Sequence, residues 1–257
     1  MVLADKAGYH SHFISMTDTS TKVAIITGAG RGIGRAIALQ MAQAGYALVL
    51  AARSFEELDE TRRLSGLEAK RSLIVLIDLA DPDAPGNLFE ASLSHYGQVD
   101  VLINNAGWAP PRTPVVKSSE DDLDRMLAVN LRAPIMLAHL AASHMAKRAG
   151  GVIVHIASEA ARNQSAGEAV YSAAKAGLVA FTHATFAEFR AMKIRTSVVI
   201  PGLTDTALIP HNKRLDRSAM LQPDDIAGAV MNVIDTPPGI SPVEITLQPS
   251  RDPMARR

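Results

Sequence analysis

Short apolar runs alternate along the chain with longer segments in which apolar residues recur at helical spacing. Several runs consist almost wholly of Val, Ile and Leu, which is typical of strands buried on both faces of a parallel sheet. The predicted strands are residues 23–27, 47–51, 73–77, 101–103, 152–156, 196–200 and 243–247. The predicted helices are residues 33–44, 55–64, 84–96, 119–147, 169–192 and 223–234.

This alternation of strands and helices predicts the fold class. Each strand–helix–strand unit places its two strands parallel, so we expect an α/β fold with a doubly wound parallel sheet of the Rossmann type. We assign residues 21–250 to a single domain, between a flexible extension (residues 1–20) and a tail (residues 251–257). Residues 203–222 have no clear period, which predicts a flexible segment or short helices.

The composition narrows the class of protein. Apolar residues make up 47% of the 257 residues and charged residues 20%, so the chain can bury a core. The formal net charge of +0 offers no global field to nucleic acid or to an anionic membrane. Cysteine is absent from the sequence, which excludes disulfides and thiolate metal sites. No run reaches the ~18 apolar residues of a membrane span. We therefore expect a cytoplasmic protein that binds neither nucleic acid nor membranes.

A glycine-rich turn follows the first predicted strand and opens the first predicted helix. Glycines allow backbone N–H groups to approach a pyrophosphate, and the N-terminus of the helix adds its positive dipole end. The position of the turn between strand and helix favours nucleotide binding over a plain structural turn. The candidate cofactor-binding residues of this turn are Gly28, Gly30, Arg31, Gly32, Ile33 and Gly34.

Six motifs in order resemble those of the short-chain dehydrogenase/reductase family, in its single-domain branch. The glycine turn has the spacing Thr27-Gly-x-x-x-Gly-x-Gly, and Asn104-Asn-Ala-Gly follows the fourth strand. Tyr171 and Lys175 form a Tyr-x-x-x-Lys pair, and Ser158 precedes Tyr171 by thirteen positions. The remaining matches are Asn130 in Val-Asn-Leu and Pro201-Gly202 followed by Thr206. The resemblance runs from about residue 22 to residue 234.

The resemblance implies an oxidoreductase that interconverts a carbonyl and an alcohol by hydride transfer. It assigns the catalytic roles to Asn130, Ser158, Tyr171 and Lys175. It implies that the domain binds a dinucleotide, with Lys175 also holding the nicotinamide ribose and Asp78 near the adenine edge. The further cofactor contacts that it implies are Leu79, Asn105, Ala106, Gly107, Tyr171, Pro201, Gly202, Thr204 and Thr206.

The chain departs from the common family pattern at three places. Ala157 replaces a frequent serine, Thr204 stands where Val or Ile is usual, and the Val-Asp-Gly-Gly ending is absent. The segment from residue 221 to residue 249 resembles instead the branch of serine 3-dehydrogenases and related NADP-dependent reductases.

Two arginines indicate which nicotinamide the protein uses. A carboxylate at the end of the second strand would accept hydrogen bonds from the ribose hydroxyls of NAD, but Ala52 occupies that position. Arg53 follows at once, and Arg31 lies in the glycine turn. Guanidinium groups suit a 2′-phosphate, so we expect NADP(H) as the cofactor.

The Tyr171–Lys175 pair predicts proton transfer. Residues four apart share a helical face. A cation ~4 Å from the phenol, at an effective dielectric near 20, contributes ~4 kcal/mol, or about 3 pKa units. Lys175, helped by the positive oxidised nicotinamide, is therefore expected to bring the pKa of Tyr171 near working pH, while Ser158 stabilises the developing alkoxide.

Other candidate residues concern the substrate and the assembly. Trp108, Glu159, Glu168 and Leu203 are expected to border the substrate pocket. Arg162 would favour an acidic substrate if it faces that pocket, and it could equally form a surface pair with Glu159. We expect no metal, and we expect a homodimer or homotetramer through the helices at residues 119–147 and 169–192.

Two other functions stay open. A non-catalytic NADP(H)-binding sensor module would be expected to lack a catalytic residue, and all four are present. An epimerase with a bound nicotinamide would need more chain for a sugar-nucleotide domain.

Overall fold

A single seven-stranded sheet forms the centre of the protein. The computed structural model describes residues 21–209, 212, 215–237 and 239–254. All strands are parallel, and their order is β3-β2-β1-β4-β5-β6-β7. The predicted doubly wound Rossmann-type sheet is therefore confirmed. The predicted extension at residues 1–20 and the last residues of the predicted tail lie outside the described residues.

Strands and helices alternate from the first strand to the last. The strands are β1 (Val23–Thr27), β2 (Ala47–Ala52), β3 (Ser72–Leu76), β4 (Val101–Asn104), β5 (Gly151–Ile156), β6 (Ile194–Pro201) and β7 (Glu244–Leu247). The helices are α1 (Gly32–Gln43), α2 (Phe55–Ser65), α3 (Ala84–Tyr96), α4 (Glu120–Leu127), α5 (Ala133–Met145), α6 (Ala169–Phe189) and α7 (Pro223–Asp235). Short 3-10 helices lie at Ala69–Arg71, Val115–Lys117, Glu159–Ala161, Arg190–Met192 and Arg217–Ala219.

Helices cover both faces of the sheet, which explains the continuous apolar strands. One core cluster joins Ile26 and Leu48 to α1 and α7, and the other joins Ile25 and Val49 to α3 and α5. Because neighbouring residues of a strand point to opposite faces, every position of β1 is buried.

The helix predicted at residues 119–147 is interrupted by a π-helical turn at Ala128–Arg132. The N–H of Ala133 bonds to the carbonyl of Ala128, five residues back. Pro134 explains this register, because it has no N–H to donate to the carbonyl of Asn130. The prediction of one uninterrupted helix was therefore wrong, and the turn directs Asn130 inward, where it is fully buried.

The outer faces of α5 and α6 enclose an apolar surface groove of about 420 Å³. Its lining residues are Ile135, Met136, His139, Phe181, Thr185, Glu188 and Phe189. These are the helices through which a homodimer or homotetramer is expected, and that assembly stays a prediction. Within the described residues, Glu120–Met145 is also long and apolar enough to cross a membrane, but half of its most apolar window is buried, as in the core helix of a globular domain.

The start of α1 packs directly against the turn that follows β1. A side chain on Gly34 would place its Cβ 2.1 Å from the carbonyl oxygen of Gly28 and 2.5 Å from Nδ2 of Asn105. No real Cβ tolerates a backbone atom at that distance, so only glycine lets helix and turn approach this closely.

We predict that Gly34→Ala destabilises the protein by more than about 2 kcal/mol, since two backbone segments must separate. Gly228 in α7 is a matched control, because its Cβ position has no atom within 4 Å. Gly228→Ala is expected to stabilise the helix by up to about 1 kcal/mol. Urea unfolding followed by circular dichroism measures both changes, and equal midpoints for the two variants would contradict this packing.

Candidate active site

The predicted site residues gather at the carboxyl edge of the sheet, beside the point where strand order reverses between β1 and β4. Ligands of open α/β sheets bind in the crevice at such a point. Here the chain leaves β1 into the glycine turn, β4 into the Asn-Ala-Gly segment, and β5 toward Ser158.

The glycine turn presents backbone donors to an anion. Gly28 and Gly32 have φ angles of +66° and +54°, which favour glycine. The first helical hydrogen bond of α1 runs from Arg35 N to Arg31 O. The N–H groups at the preceding positions therefore lack intrahelical partners, and no side chain caps this end of the helix. The turn fits a pyrophosphate group, as its sequence predicts.

Asn105 and Thr27 hold the glycine turn against the loop that follows β4. The Asn105 side-chain amide donates to the carbonyls of Thr27 and Gly28, at 2.9 and 3.2 Å. The Thr27 hydroxyl accepts from the backbone N–H groups of Asn105 and Ala106, both at 3.0 Å. Gly107 follows this segment, so the Asn-Asn-Ala-Gly motif is fixed to the glycine turn by its own hydrogen bonds.

Arg31 and Arg53 are both exposed beside the carboxyl end of β2. The Arg31 guanidinium lies 3.3 Å from the carboxylate of Glu57 on α2. A Cβ on Gly30 would lie 2.9 Å from Glu57 Cβ, so this glycine makes room for α2. Sequence patterns did not point to Glu57, because Arg31 and Glu57 lie 26 positions apart in the chain.

Asp78 lies after β3 with two hydrogen-bond donors. Its carboxylate accepts from the backbone N–H of Ala80 at 3.0 Å and from Arg125 Nη2 at 2.6 Å. Burial alone would raise the pKa of Asp78, but these two hydrogen bonds hold it below its usual value. Arg125 also lies over the Trp108 ring, 5.4 Å from its centroid. Sequence reasoning missed Arg125, which links the expected adenine and substrate ends of the site.

The segment after β6 contacts the glycine turn. Gly202 N donates to Leu247 O at 2.8 Å, and the buried Thr204 hydroxyl donates to Gly202 O at 3.0 Å. A Cβ on Gly32 would lie 3.4 Å from Thr206 Cγ2. The predicted Pro-Gly and Thr206 positions therefore do lie beside the predicted phosphate site.

Asn130 holds the backbone of Trp108 from the π-helical turn. Its amide nitrogen donates to Trp108 O at 2.6 Å, and its amide oxygen accepts from Trp108 N at 3.2 Å. A Cβ on Gly107 would lie 3.2 Å from Asn130 Oδ1 and 3.7 Å from Lys175 Nζ. The glycine therefore leaves open the space in which Asn130 and Lys175 converge.

Lys175 is a buried cation at the end of β5. Its ammonium donates to the carbonyl of Ile156 at 2.9 Å, and 3% of the residue is exposed. Burial lowers the pKa of Lys175 to about 8, because the charged form loses its hydration.

A second buried basic group, His155, lies on β5 near this ammonium. Its Nδ1 accepts from Asn104 Nδ2 at 3.2 Å, and that amide also donates to Pro134 O at 3.1 Å. Burial first, and the charge of Lys175 second, lower the pKa of His155 to about 3. His155 is therefore neutral, and Lys175 is the charged group of the pair.

In the protein alone, the pKa of Tyr171 lies above its usual value, whereas a pKa near working pH was expected. Burial raises the pKa of Tyr171, a hydrogen bond with Ser158 lowers it, and the charge of Glu168 raises it. Lys175 Nζ lies 5.9 Å from the centroid of the Tyr171 ring, and the charge of Lys175 is not among the causes of this shift. The protein alone therefore keeps Tyr171 protonated, which is the form that donates a proton.

The residues near the expected substrate pocket make contacts with different parts of the chain. Ser158 Oγ accepts from Ala160 N at 3.2 Å, and the Glu159 carboxylate accepts from Asn163 Nδ2 at 2.7 Å. Leu203 is half-buried, and its carbonyl accepts from Leu221 N at 3.0 Å.

Two of the charged candidates form ion pairs. Glu168 Oε1 lies 2.8 Å from Arg112 Nε. Arg162 pairs with Glu244 of β7, which also accepts from His183 at 2.9 Å. The suggested pairing of Arg162 with Glu159 was therefore wrong, and Arg162 gives no support for an acidic substrate.

Known proteins resemble this chain over most of its length. The family described as short chain dehydrogenase matches residues 22–216. An uncharacterized oxidoreductase of Thermotoga maritima is 35% identical over 221 residues, which cover 83% of this chain and 84% of that protein.

Two solved structures extend the comparison to the fold. A metagenomic short-chain oxidoreductase in complex with NADP is 31% identical, with a TM-score of 0.78 over 90% of this chain and 98% of its own. Serine dehydrogenase from Escherichia coli is 25% identical, with a TM-score of 0.76 over 88% of this chain and 97% of its own. With its motifs gathered at one edge of the sheet and the family match spanning most of its length, the chain belongs to the short-chain dehydrogenase family.

Proposed function

We propose that the protein is an NADP(H)-dependent oxidoreductase that interconverts a carbonyl and a secondary or primary alcohol. The observation that carries the proposal is the convergence of Ser158, Tyr171, Lys175 and Asn130 at the carboxyl edge of the sheet, next to a glycine turn that fits a pyrophosphate. The bound nicotinamide would supply or accept the hydride.

The four side chains divide the remaining chemistry among them. Tyr171, protonated in its buried site, donates a proton to the carbonyl oxygen during reduction. During oxidation its phenolate form accepts the hydroxyl proton. The Ser158 hydroxyl donates to the same oxygen and stabilises its developing charge. The Lys175 ammonium favours the phenolate and holds the nicotinamide ribose. Asn130 fixes the backbone of Trp108 and lies in the space that it shares with Lys175 beside Gly107.

The choice of NADP(H) over NAD(H) is supported by three residues at the end of β2 and in the glycine turn. Ala52 provides no carboxylate for the ribose, and Arg53 and Arg31 are exposed beside it, where a 2′-phosphate would compete with Glu57 for the Arg31 guanidinium. The related metagenomic oxidoreductase binds NADP. The similarity to serine dehydrogenase makes 3-hydroxy acids one substrate class to test, beside aldehydes, ketones and β-keto esters.

The non-catalytic sensor is the alternative function. It predicts dinucleotide binding without turnover of any carbonyl or alcohol. The proposal favours turnover over this alternative, because a sensor would be expected to lack one of the four residues Asn130, Ser158, Tyr171 and Lys175, and all four are present.

We predict that Tyr171→Phe reduces kcat by 10²-fold or more while NADPH still binds, because the variant loses only the proton donor. Tyr96→Phe is the control, since Tyr96 is equally an interior tyrosine but lies on α3. NADPH absorbance with the best substrate of the panel measures kcat, and fluorescence titration measures binding. A loss of less than tenfold in Tyr171→Phe would refute the role of this residue.

We predict that kcat/KM with NADPH exceeds that with NADH by about tenfold to a hundredfold, since each charged hydrogen bond to a phosphate contributes ~1.5–3 kcal/mol before screening. The margin is expected to shrink as salt rises. Ala52→Asp combined with Arg53→Ile is expected to reverse the preference.

Arg63→Ile is the control for the loss of a cation, because Arg63 is an exposed arginine of α2 that pairs with Glu60. It is expected to leave the cofactor preference unchanged. Equal use of NADH and NADPH by the unmodified protein at low salt would contradict the role given to Arg31 and Arg53.

A further inference from the structure

An ion pair joins the two loops that border Tyr171. Arg112 lies in the loop after β4, and Glu168 lies immediately before α6. Arg112 Nε donates to Glu168 Oε1 at 2.8 Å, and beside it Thr113 N donates to Gly167 O at 3.1 Å. Gly167 has a φ angle of +83°, and a Cβ there would lie 3.1 Å from Thr113 N. The two loops are therefore held together by a charged contact and a backbone contact.

Glu168 is placed to act on Tyr171. It is the N-cap residue of α6, and Ser172 N donates to its carbonyl at 2.8 Å, so the helical register includes it. Tyr171 lies three residues further on, in the first turn of the same helix, so the two residues are neighbours at this helix end. The Glu168 side chain is 25% exposed, so its charge is only partly screened by water.

The charged and polar groups around Tyr171 come from α6 and from the end of β5. Lys175 lies on α6, Ser158 hydrogen-bonds from the end of β5, and Glu168 lies at the start of α6. His155 on β5 is neutral, as described above, and the Glu159 carboxylate is engaged by Asn163. Glu168 is thus the anion that raises the pKa of Tyr171, and Arg112 is the cation paired with that anion.

We propose that Arg112 is a positioning residue that acts through Glu168 to set the protonation of Tyr171. With the ion pair intact, Arg112 offsets the charge of Glu168 and holds its carboxylate toward the β4 loop. Without Arg112, the uncompensated carboxylate favours the protonated phenol. This inference rests on the proposed function, because it assumes that Tyr171 exchanges the proton with the substrate.

The test is the pH dependence of alcohol oxidation, in which Tyr171 must accept a proton, so that activity rises with pH. Glu168→Gln is expected to move the rising limb to lower pH by roughly half a unit or more, since an anion is lost. Arg112→Gln is expected to move it to higher pH by a similar amount. In the Glu168→Gln background, Arg112→Gln is expected to cause no further shift, because its partner carries no charge.

Arg162→Gln is the matched control. Arg162 is also a half-exposed arginine paired with a glutamate, but its partner Glu244 lies on β7. Its removal is expected to leave the pH profile unchanged. Arg112→Lys keeps the charge and is expected to restore most of the wild-type profile.

A readout that needs no turnover separates this role from loop stability. The 13Cζ resonance of Tyr171, assigned by its absence in Tyr171→Phe, is expected to titrate at lower pH in Glu168→Gln than in the wild type. Superimposable profiles for the wild type, Glu168→Gln and Arg112→Gln would overturn the inference, and so would an Arg112→Gln shift that persists without Glu168. If Tyr171→Phe stayed active, the proposed function itself would fail.

Discussion

The burial of the Lys175 ammonium is the constraint on which the site depends. A charged group removed from water is costly unless fixed dipoles or anions replace its hydration. Here the carbonyl of Ile156 accepts one hydrogen bond, at the point where β5 ends and no further strand pairing uses that carbonyl. The pKa of Lys175 is lowered to about 8, because the protein does not replace all of the hydration that the ammonium has in water. A ribose hydroxyl or a phenolate beside this cation would stabilise it further.

The rest of the carboxyl edge is arranged around this cation. Pro134 forces the π-helical turn that carries Asn130 toward it, and Gly107 has no side chain to fill the space between them. Asn105 and Thr27 connect this region to the glycine turn through four hydrogen bonds. The proton-transfer groups and the predicted dinucleotide site are thereby fixed to one another by the backbone of two neighbouring strands, β1 and β4.

The sequence was sufficient to predict the sheet, because its strands are continuous apolar runs and its helices have clear periods. Motif spacing also identified the candidate side chains that the structure brings to one edge of the sheet, since each motif is a local pattern in the chain. The errors arose from contacts between distant segments. Arg162 pairs with Glu244, 82 positions away, and Glu57 of α2 pairs with Arg31, 26 positions away. The pKa of Tyr171 could not be predicted from a charge four residues away, because burial is its largest cause and raises it.

The titration of Lys175 tests the account most directly. The 13Cε resonances of the lysines can be followed with pH in the protein without cofactor, and Lys175→Met assigns the resonance concerned. The account predicts that the Lys175 resonance titrates near pH 8, well below the ~10.4 of a free lysine side chain. A Lys175 resonance that titrates above pH 10 would contradict the buried cation from which the rest of the site is argued.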